Sequence, residues 1–105
     1  MSKILIIGAG AAGSIAAVFA ARRGQEVIVF EKNAKTGKKI YITGKGRCNI
    51  TNAVENTELI KNTIRNPKFM YSAFSAFTSE NTIKFFEEMG CAVKVERGNR
   101  AFPVS

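Results

Sequence analysis

The chain has 105 residues, of which 46% are hydrophobic, a composition that suits one small globular core. Its 16 Lys and Arg residues outweigh 8 Asp and Glu residues, so the formal net charge is +8 and nucleic acid has to be considered as a partner. The chain contains no histidine, and its two cysteines lack metal-ligand spacing, so we expect no metal site and no Ser-His or Cys-His catalytic pair within it.

The first predicted elements are a strand, a glycine-rich turn and a helix. The stretch 3–7, apolar from Ile4 to Ile7, is typical of a buried parallel strand, and 8–13 reads Gly-Ala-Gly-Ala-Ala-Gly. Small and apolar residues predict a helix over 11–23, and a second apolar strand over 27–30 is followed by Glu31. This order predicts a unit that holds the ADP half of a dinucleotide. A glycine turn in an unrelated α/β protein is the alternative.

Each glycine of the turn has a chemical reason. Gly8 permits a sharp turn out of the strand, Gly10 has no side chain to keep a diphosphate from the main chain, and Gly13 lets the helix pack closely on the strand. Unpaired N–H groups at the helix start face the diphosphate. Glu31 is expected to accept hydrogen bonds from the adenosine ribose, and its charge disfavours the 2′-phosphate of NADP.

The uncharged stretch 4–21 allows two further interpretations. Its length approaches that of a membrane span, and Lys3 before an apolar stretch resembles a secretory signal. However, its glycines and alanines make it only mildly hydrophobic, and a signal needs neither this glycine spacing nor a β-branched strand after it. We therefore expect a cytoplasmic protein with no membrane partner.

A long polar loop is predicted over 32–52. Its cations are Lys32, Lys35, Lys38, Lys39, Lys45 and Arg47. Gly44 and Gly46 bracket a lysine, and backbone N–H groups there can curve around an anion. Because structureless stretches of this length are usually functional or disordered, we predict a role in wrapping a cofactor, with a solvated surface loop as the alternative. Tyr41 is the one aromatic among these cations, which disfavours a nucleic-acid interface.

Helices follow this loop. Apolar residues recur at helical spacing over 56–64, and Pro67 with the asparagine before it predicts the start of another helix. The apolar face within 69–77 is expected to lie in the core rather than to form a cofactor site. Ser79 is predicted to cap a third helix that Gly90 ends.

A hairpin closes the chain. Residues 91–96 alternate as a half-buried strand, 97–100 form a turn and 101–104 return as the partner, which Pro103 restricts to an edge or an exit. The predicted fold class is α/β, an incomplete Rossmann-like FAD/NAD(P)-binding fold with a helical and β-hairpin extension. We divide it into a dinucleotide-binding unit with its glycine-rich loop, 1–52, and helices with a hairpin, 53–105, that lead to a second domain. Since a doubly wound domain needs about four or five parallel strands, we expect the N-terminal part of a larger enzyme, inactive by itself.

The most specific motif lies in the loop. The stretch 43–52 reads Thr-Gly-Lys-Gly-Arg-Cys-Asn-Ile-Thr-Asn and follows Gly-Lys-Lys at 37–39. Together with the opening glycine turn, Glu31 and the ending 100–105, it resembles a family of bacterial flavoproteins, the BaiN-like, aminoacetone-oxidase-like FAD-dependent oxidoreductases. The resemblance covers the whole chain.

The resemblance implies FAD as the cofactor, with NAD(P)H as a candidate electron donor. It places Gly8, Gly10, Ala12 and Gly13 at the pyrophosphate, Glu31 at the adenosine ribose, Lys32 on the adenine side, Lys38 and Lys39 along the phosphates, and Gly46, Arg47, Cys48 and Asn49 at the flavin end. The substrate is expected to be a small molecule of undetermined class, because proposals for the family range from amine oxidation to reduction of conjugated double bonds. The oligomeric state is left open.

Two residues near the flavin end have alternative roles. Arg47 either stabilises an anionic reduced flavin or serves as a phosphate clamp or surface salt bridge. Cys48 either contacts the flavin ring as a redox group or packs as a small buried thiol, and packing is favoured. No residue is a convincing catalytic acid or base, so the catalytic residues are not identified within this chain.

Two other functional classes compete with a flavoenzyme. An NAD-binding dehydrogenase would keep the fold, but simple NAD domains pass from the acid into another short strand and helix rather than into a long Lys/Gly loop. A basic RNA-binding or flavin-sensing module has only the net charge of +8 in its favour.

Overall fold

The computed structural model describes residues 2–43 and 47–104. The chain forms two compact units, Met1–Gly46 and Arg47–Ser105, here called the first and second units. This division falls before the boundary that the sequence predicts after residue 52. Within the described residues, every helix is too short or too polar to cross a lipid bilayer.

The first unit is a β-α-β arrangement followed by a short helix. Its elements are β1 (Lys3–Ile7), α1 (Ala11–Arg22), β2 (Glu26–Phe30) and α2 (Lys38–Ile42). β1 and β2 pair in parallel, with Ile4 opposite Val27, and α1 packs against both strands. The predicted strand, helix and strand are therefore confirmed. The prediction of a structureless loop is wrong at α2, where Gly37 with a φ of 66° leads into five residues that include neither glycine nor proline.

The two strands partly cover one face with α1 and expose the other. Side chains alternate along a strand, and β1 is accordingly half-buried at Ile4 and Ile6 and exposed between and beyond them. Leu5 is 57% exposed, Ile7 84% and Phe30 52%. The apolar strands were expected to be buried, but within the first unit their second face remains open to solvent.

This open apolar face predicts how the 105-residue chain behaves when it is expressed by itself. We expect it to bind the dye ANS and to form aggregates, because a contiguous exposed apolar patch and unpaired strand edges favour association. Size-exclusion chromatography and ANS fluorescence measure both properties. A matched variant, Ile7→Lys, should reduce both signals, whereas a monomeric parent chain with a cooperative transition and no ANS signal would contradict the prediction.

The second unit combines short helices with an antiparallel sheet. Its elements are β3 (Thr51–Asn52), α3 (Asn56–Lys61), a 3₁₀ turn (Pro67–Met70), α4 (Tyr71–Ala76), α5 (Ser79–Glu88), β4 (Val93–Glu96), a second 3₁₀ turn (Arg97–Asn99) and β5 (Arg100–Pro103). The strand order is β3-β5-β4, and both pairings are antiparallel. The predicted hairpin is thus present as β4 and β5.

Of the two positions that Pro103 allows, an edge strand or a strand exit, the structure shows the exit: β5 is the central strand of this sheet, and Pro103 is its last residue. β3 is only two residues long and lies opposite Arg100 and Ala101. Pro103 therefore lies beyond the end of β3, where its missing N–H costs no hydrogen bond to that neighbour.

The cap of α5 is also displaced by one residue from the prediction. Thr78 is the N-cap, and its hydroxyl accepts a hydrogen bond from the N–H of Asn81 at 3.0 Å in a capping box. Ser79 instead is buried and donates its hydroxyl to the Val54 carbonyl at 2.7 Å. The buried apolar residues of this unit include Phe85, but the predicted core face over 69–77 is only partly buried, since Phe69 is 83% exposed.

Candidate functional site

The glycine turn between β1 and α1 is held in a conformation that depends on its glycines. Gly8 has a φ of 97°, and its N–H donates to the Phe30 carbonyl at 2.7 Å, which ties the end of β1 to the end of β2. A Cβ on Gly13 would overlap the carbonyl oxygen of Gly8. The close packing of helix on strand that the sequence predicts for Gly13 is therefore present.

The N-terminus of α1 is accessible beside Gly10. A Cβ on Gly10 would meet no atom of the described residues within 4 Å, apart from its chain neighbours. The first helical hydrogen bond joins the Ser14 N–H to the Gly10 carbonyl at 3.0 Å. The N–H groups of residues 11–13 therefore have no hydrogen-bond acceptor within the helix. In the described part of the chain no side chain caps this end, and Ala12 is exposed. The arrangement offers backbone donors and a helix dipole to an anion, with room for it to approach.

The carboxylate of Glu31 lies beside this turn. Its Oε1 accepts a hydrogen bond from the N–H of Ala9 at 2.9 Å, and its Oε2 accepts two from Asn33, one from the backbone N–H and one from Nδ2, both at 2.8 Å. The Ala9 N–H, and after it the Asn33 N–H, hold the pKa of Glu31 below its usual value. The group is therefore an anionic acceptor at neutral pH, the property that a ribose-binding acid needs.

Ala9 connects the turn to the segment after β2. Besides donating to Glu31, it accepts a hydrogen bond at its carbonyl from the Gly37 N–H at 2.8 Å, and it is only 4% exposed. Sequence reasoning missed both Ala9 and Asn33. The position of Asn33 two residues after an acid was the available signal, because short amide side chains commonly bond to local groups in turns.

Lys32, predicted on the adenine side, and Lys38 and Lys39, predicted along the phosphates, are all exposed. Lys32 contributes to the lowered pKa of Glu31 through its charge. Lys38 begins α2 and, with Tyr41, lines a groove of about 530 Å³ along this segment. The structure thus places Gly8, Gly10, Ala12, Gly13, Glu31 and these lysines in the first unit.

The residues predicted for the flavin end belong to the second unit, except Gly46, which lies outside the described residues. Arg47 donates from Nη2 to Glu96 Oε2 at 2.8 Å, and its guanidinium carbon lies 3.8 Å from the centroid of the Phe102 ring. The same oxygen of Glu96 lies 3.1 Å from Lys94 Nζ. Among the alternatives for Arg47, the salt bridge is therefore the interaction present in the structure.

Cys48 and Asn49 follow Arg47 as exposed residues of irregular chain. The favoured interpretation of Cys48 as a buried thiol is wrong. Regular pairing begins only at Ile50, whose N–H donates to the Ala101 carbonyl at 2.9 Å, so Cys48 precedes the part of this segment that the sheet holds. Both Cys48 and Cys91 are free thiols.

The pairing of Glu96 predicts an acid-sensitive part of the stability of the second unit. Hydrogen bonds from Arg47 first, and then Lys94, lower the pKa of Glu96 from 4.5 to about 2. Because the pKa is lower in the folded state, ionised Glu96 contributes fully to the free energy of unfolding above about pH 5. This contribution disappears as the pH falls through about 2. We expect Glu96→Gln to unfold at a lower temperature than the parent near neutral pH, with the difference vanishing in acid.

Thermal unfolding measured across this pH range checks the prediction. Arg47→Gln provides the matched comparison, because it removes the largest cause of the lowered pKa and should abolish most of the same pH dependence. A difference between parent and Glu96→Gln that stays constant from neutral pH to about pH 2 would contradict it.

Comparison with known proteins places this chain in a family. The model of the HI0933-like protein Rossmann domain matches residues 2–105. The chain belongs to this family. The predicted Rossmann-like α/β class is thereby confirmed, and so is the resemblance on which the sequence analysis relies.

Curated relatives of this HI0933-like domain carry two kinds of name. The 3-dehydro-bile acid delta(4,6)-reductase of Clostridium scindens is 36% identical over 107 residues, which cover 100% of this chain and 25% of that protein. Two proteins named ribosomal RNA dihydrouridine synthase are also similar: that of Escherichia coli is 38% identical over 84% of this chain, and that of Haemophilus influenzae is 40% identical over 85%. The chain spans about a quarter of the length of these relatives.

Proposed function

We propose that this chain binds the ADP part of FAD and belongs to a flavin-dependent oxidoreductase. The observation that carries the proposal is the position of the Glu31 carboxylate. The Ala9 N–H of the glycine turn donates to its Oε1 at 2.9 Å and holds it next to the accessible N-terminus of α1. An anionic acceptor for a ribose hydroxyl thus lies beside backbone donors for a diphosphate.

The proposed site residues of the first unit each have a defined part. The backbone N–H groups at the start of α1 bind the pyrophosphate, and Gly10 leaves the space in which it lies. Glu31 accepts a ribose hydroxyl, while the exposed Lys38 and Lys39 offset the charge of the phosphates. When bound, FAD supplies hydride transfer, for which the protein provides position and electrostatics.

The reaction class that we propose is the reduction of a polarised carbon–carbon double bond. The name of one relative is a delta(4,6)-reductase, and that of the others is a dihydrouridine synthase, so both names describe products richer in hydrogen. Such a reduction adds one hydride and one proton across the double bond, and NAD(P)H is the class of donor that returns two electrons to the flavin. A small conjugated molecule is the proposed substrate.

RNA is the second candidate substrate. It is favoured by the 38% and 40% identity to proteins with ribosomal RNA in their names and by the net charge of +8. An NAD-binding dehydrogenase is less consistent with the family, whose relatives are named for reductive chemistry rather than for alcohol oxidation.

The test begins with the protein expressed from its complete reading frame. We expect a yellow protein that releases FAD on denaturation, identified by chromatography against FAD, FMN and NAD standards. A colourless protein that takes up no FAD would overturn the proposal, and displacement of bound FAD by NAD would favour the dehydrogenase. Anaerobic reoxidation of the reduced protein by a conjugated ketone or by uridine-containing RNA then separates the two substrate classes.

A further inference from the structure

Asn33 makes two hydrogen bonds to one oxygen of the acid expected at the ribose. Its backbone N–H and its side-chain Nδ2 both donate to Oε2 of Glu31 at 2.8 Å. Both residues are half-buried, and the turn between them brings the amide against the carboxylate. The side chain of Asn33 is therefore committed to Glu31 before any ligand binds.

The two oxygens of Glu31 consequently differ in what they can still accept. A carboxylate offers about four acceptor positions, two on each oxygen. Asn33 occupies both positions of Oε2, and the Ala9 N–H occupies one of Oε1. Among the hydrogen bonds of the described residues, these leave one acceptor position, on Oε1, the oxygen that faces the glycine turn.

We propose that Asn33 is a positioning residue that fixes the Glu31 carboxylate so that its single remaining acceptor, on Oε1, receives one ribose hydroxyl of the cofactor. This inference rests on the proposed binding of FAD and adds how the ribose is held. A carboxylate so fixed loses little rotational freedom when the ligand arrives, which favours binding. It also orients the ribose toward the turn that binds the diphosphate.

The amide is suited to this task because it donates without adding charge. An aspartate at position 33 would set a second anion against Oε2, and an alanine would leave only the backbone N–H to hold that oxygen. The charge of Lys32 also acts on Glu31, although Lys32 is exposed and donates no hydrogen bond to it among the described contacts.

The experiment measures FAD and ADP affinity in the apoprotein of the complete reading frame, stripped of flavin. Asn33→Ala is expected to weaken both ligands by the same factor of about five, the effect of one lost hydrogen bond, because ADP carries the same ribose and diphosphate. Asn33→Ser, which keeps a donor, is expected to recover part of this loss. Asn33→Asp is expected to bind more weakly than Asn33→Ala near neutral pH and to approach it as the pH falls and the new acid is protonated.

A double-mutant cycle separates positioning from general stability. In a Glu31→Gln background, adding Asn33→Ala should cause little further loss, because the group that Asn33 positions has changed. Asn62→Ala, which removes an amide bonded to the Glu58 carbonyl in the second unit, is the matched control and should leave both affinities unchanged.

Two results would overturn the inference alone: a parent that binds FAD with Asn33→Ala and Asn33→Asp equal to it, or additive losses in the cycle. A parent protein without affinity for FAD would instead overturn the proposed function, and the inference with it.

Discussion

In the Gly13→Ala variant, the first unit is expected to lose about 2 kcal/mol or more of its free energy of unfolding. The added Cβ would overlap the Gly8 carbonyl oxygen and lie 3.0 Å from its carbon. Both are backbone atoms, and the Gly8 N–H is held by Phe30 at 2.7 Å, so the turn cannot move away freely. Overpacking typically costs about 1–3 kcal/mol and occasionally more, and an overlap with backbone atoms lies at the upper end of that range. Subtracting the roughly 1 kcal/mol that alanine gains over glycine within a helix leaves a loss of about 2 kcal/mol or more.

Gly10→Ala is the matched control, since it adds the same methyl group three residues away. Gly10 has a φ of −83°, which alanine adopts without strain, and a Cβ there meets nothing within 4 Å. Thermal unfolding and limited proteolysis of the protein from the complete reading frame measure the two effects. A Gly13→Ala variant as stable and as protease-resistant as Gly10→Ala would contradict the prediction.

The first unit could be predicted well because its signals are local. Continuous apolar strands, a run of small residues between them and glycines at fixed spacing determine β1, α1 and β2, and the structure confirms each. The contacts of Ala9 could not be predicted in the same way. Its two partners, Glu31 and Gly37, are brought to it by the parallel pairing of the strands. Ala9 bonds them through its backbone, and its methyl side chain gives no sign of polar partners.

The second unit could be predicted only where the pattern is long enough. Residues 91–96 alternate in sequence between apolar and polar types, and a turn with Gly98 and Asn99 at positive φ follows them, so the hairpin was recognisable. β3 has two residues and therefore no period, so the sequence did not show that β5 is a central strand. The partner of Arg47 lies 49 residues further along the chain, a separation at which charge alone does not select among eight acids.

Two acids of this basic chain, Glu31 and Glu96, are held by several hydrogen-bond donors but serve different purposes. Glu31 and Glu96 each accept several hydrogen bonds, and each has a lowered pKa for that reason. In Glu31 the donors are mainly backbone groups of a turn, which leave an acceptor for a ligand. In Glu96 they are two cationic side chains: Arg47 joins the segment before β3 to the hairpin, and Lys94 lies on the same strand as Glu96. The first arrangement is suited to binding and the second to holding chain segments together.

Gly10→Val is expected to reduce FAD affinity on the order of a hundredfold while the fold is retained, because displacing the pyrophosphate removes charge-assisted hydrogen bonds worth about 1.5–3 kcal/mol each. Valine at this position fills the space beside the N-terminus of α1, where the added Cβ meets no atom of the described residues within 4 Å apart from its chain neighbours. Flavin content after purification and fluorescence titration of the apoprotein with FAD measure the loss. Ala21→Val adds the same side chain at an exposed position near the other end of α1 and should bind FAD as the parent does. Unchanged flavin content in Gly10→Val would contradict the assignment of the diphosphate to this turn.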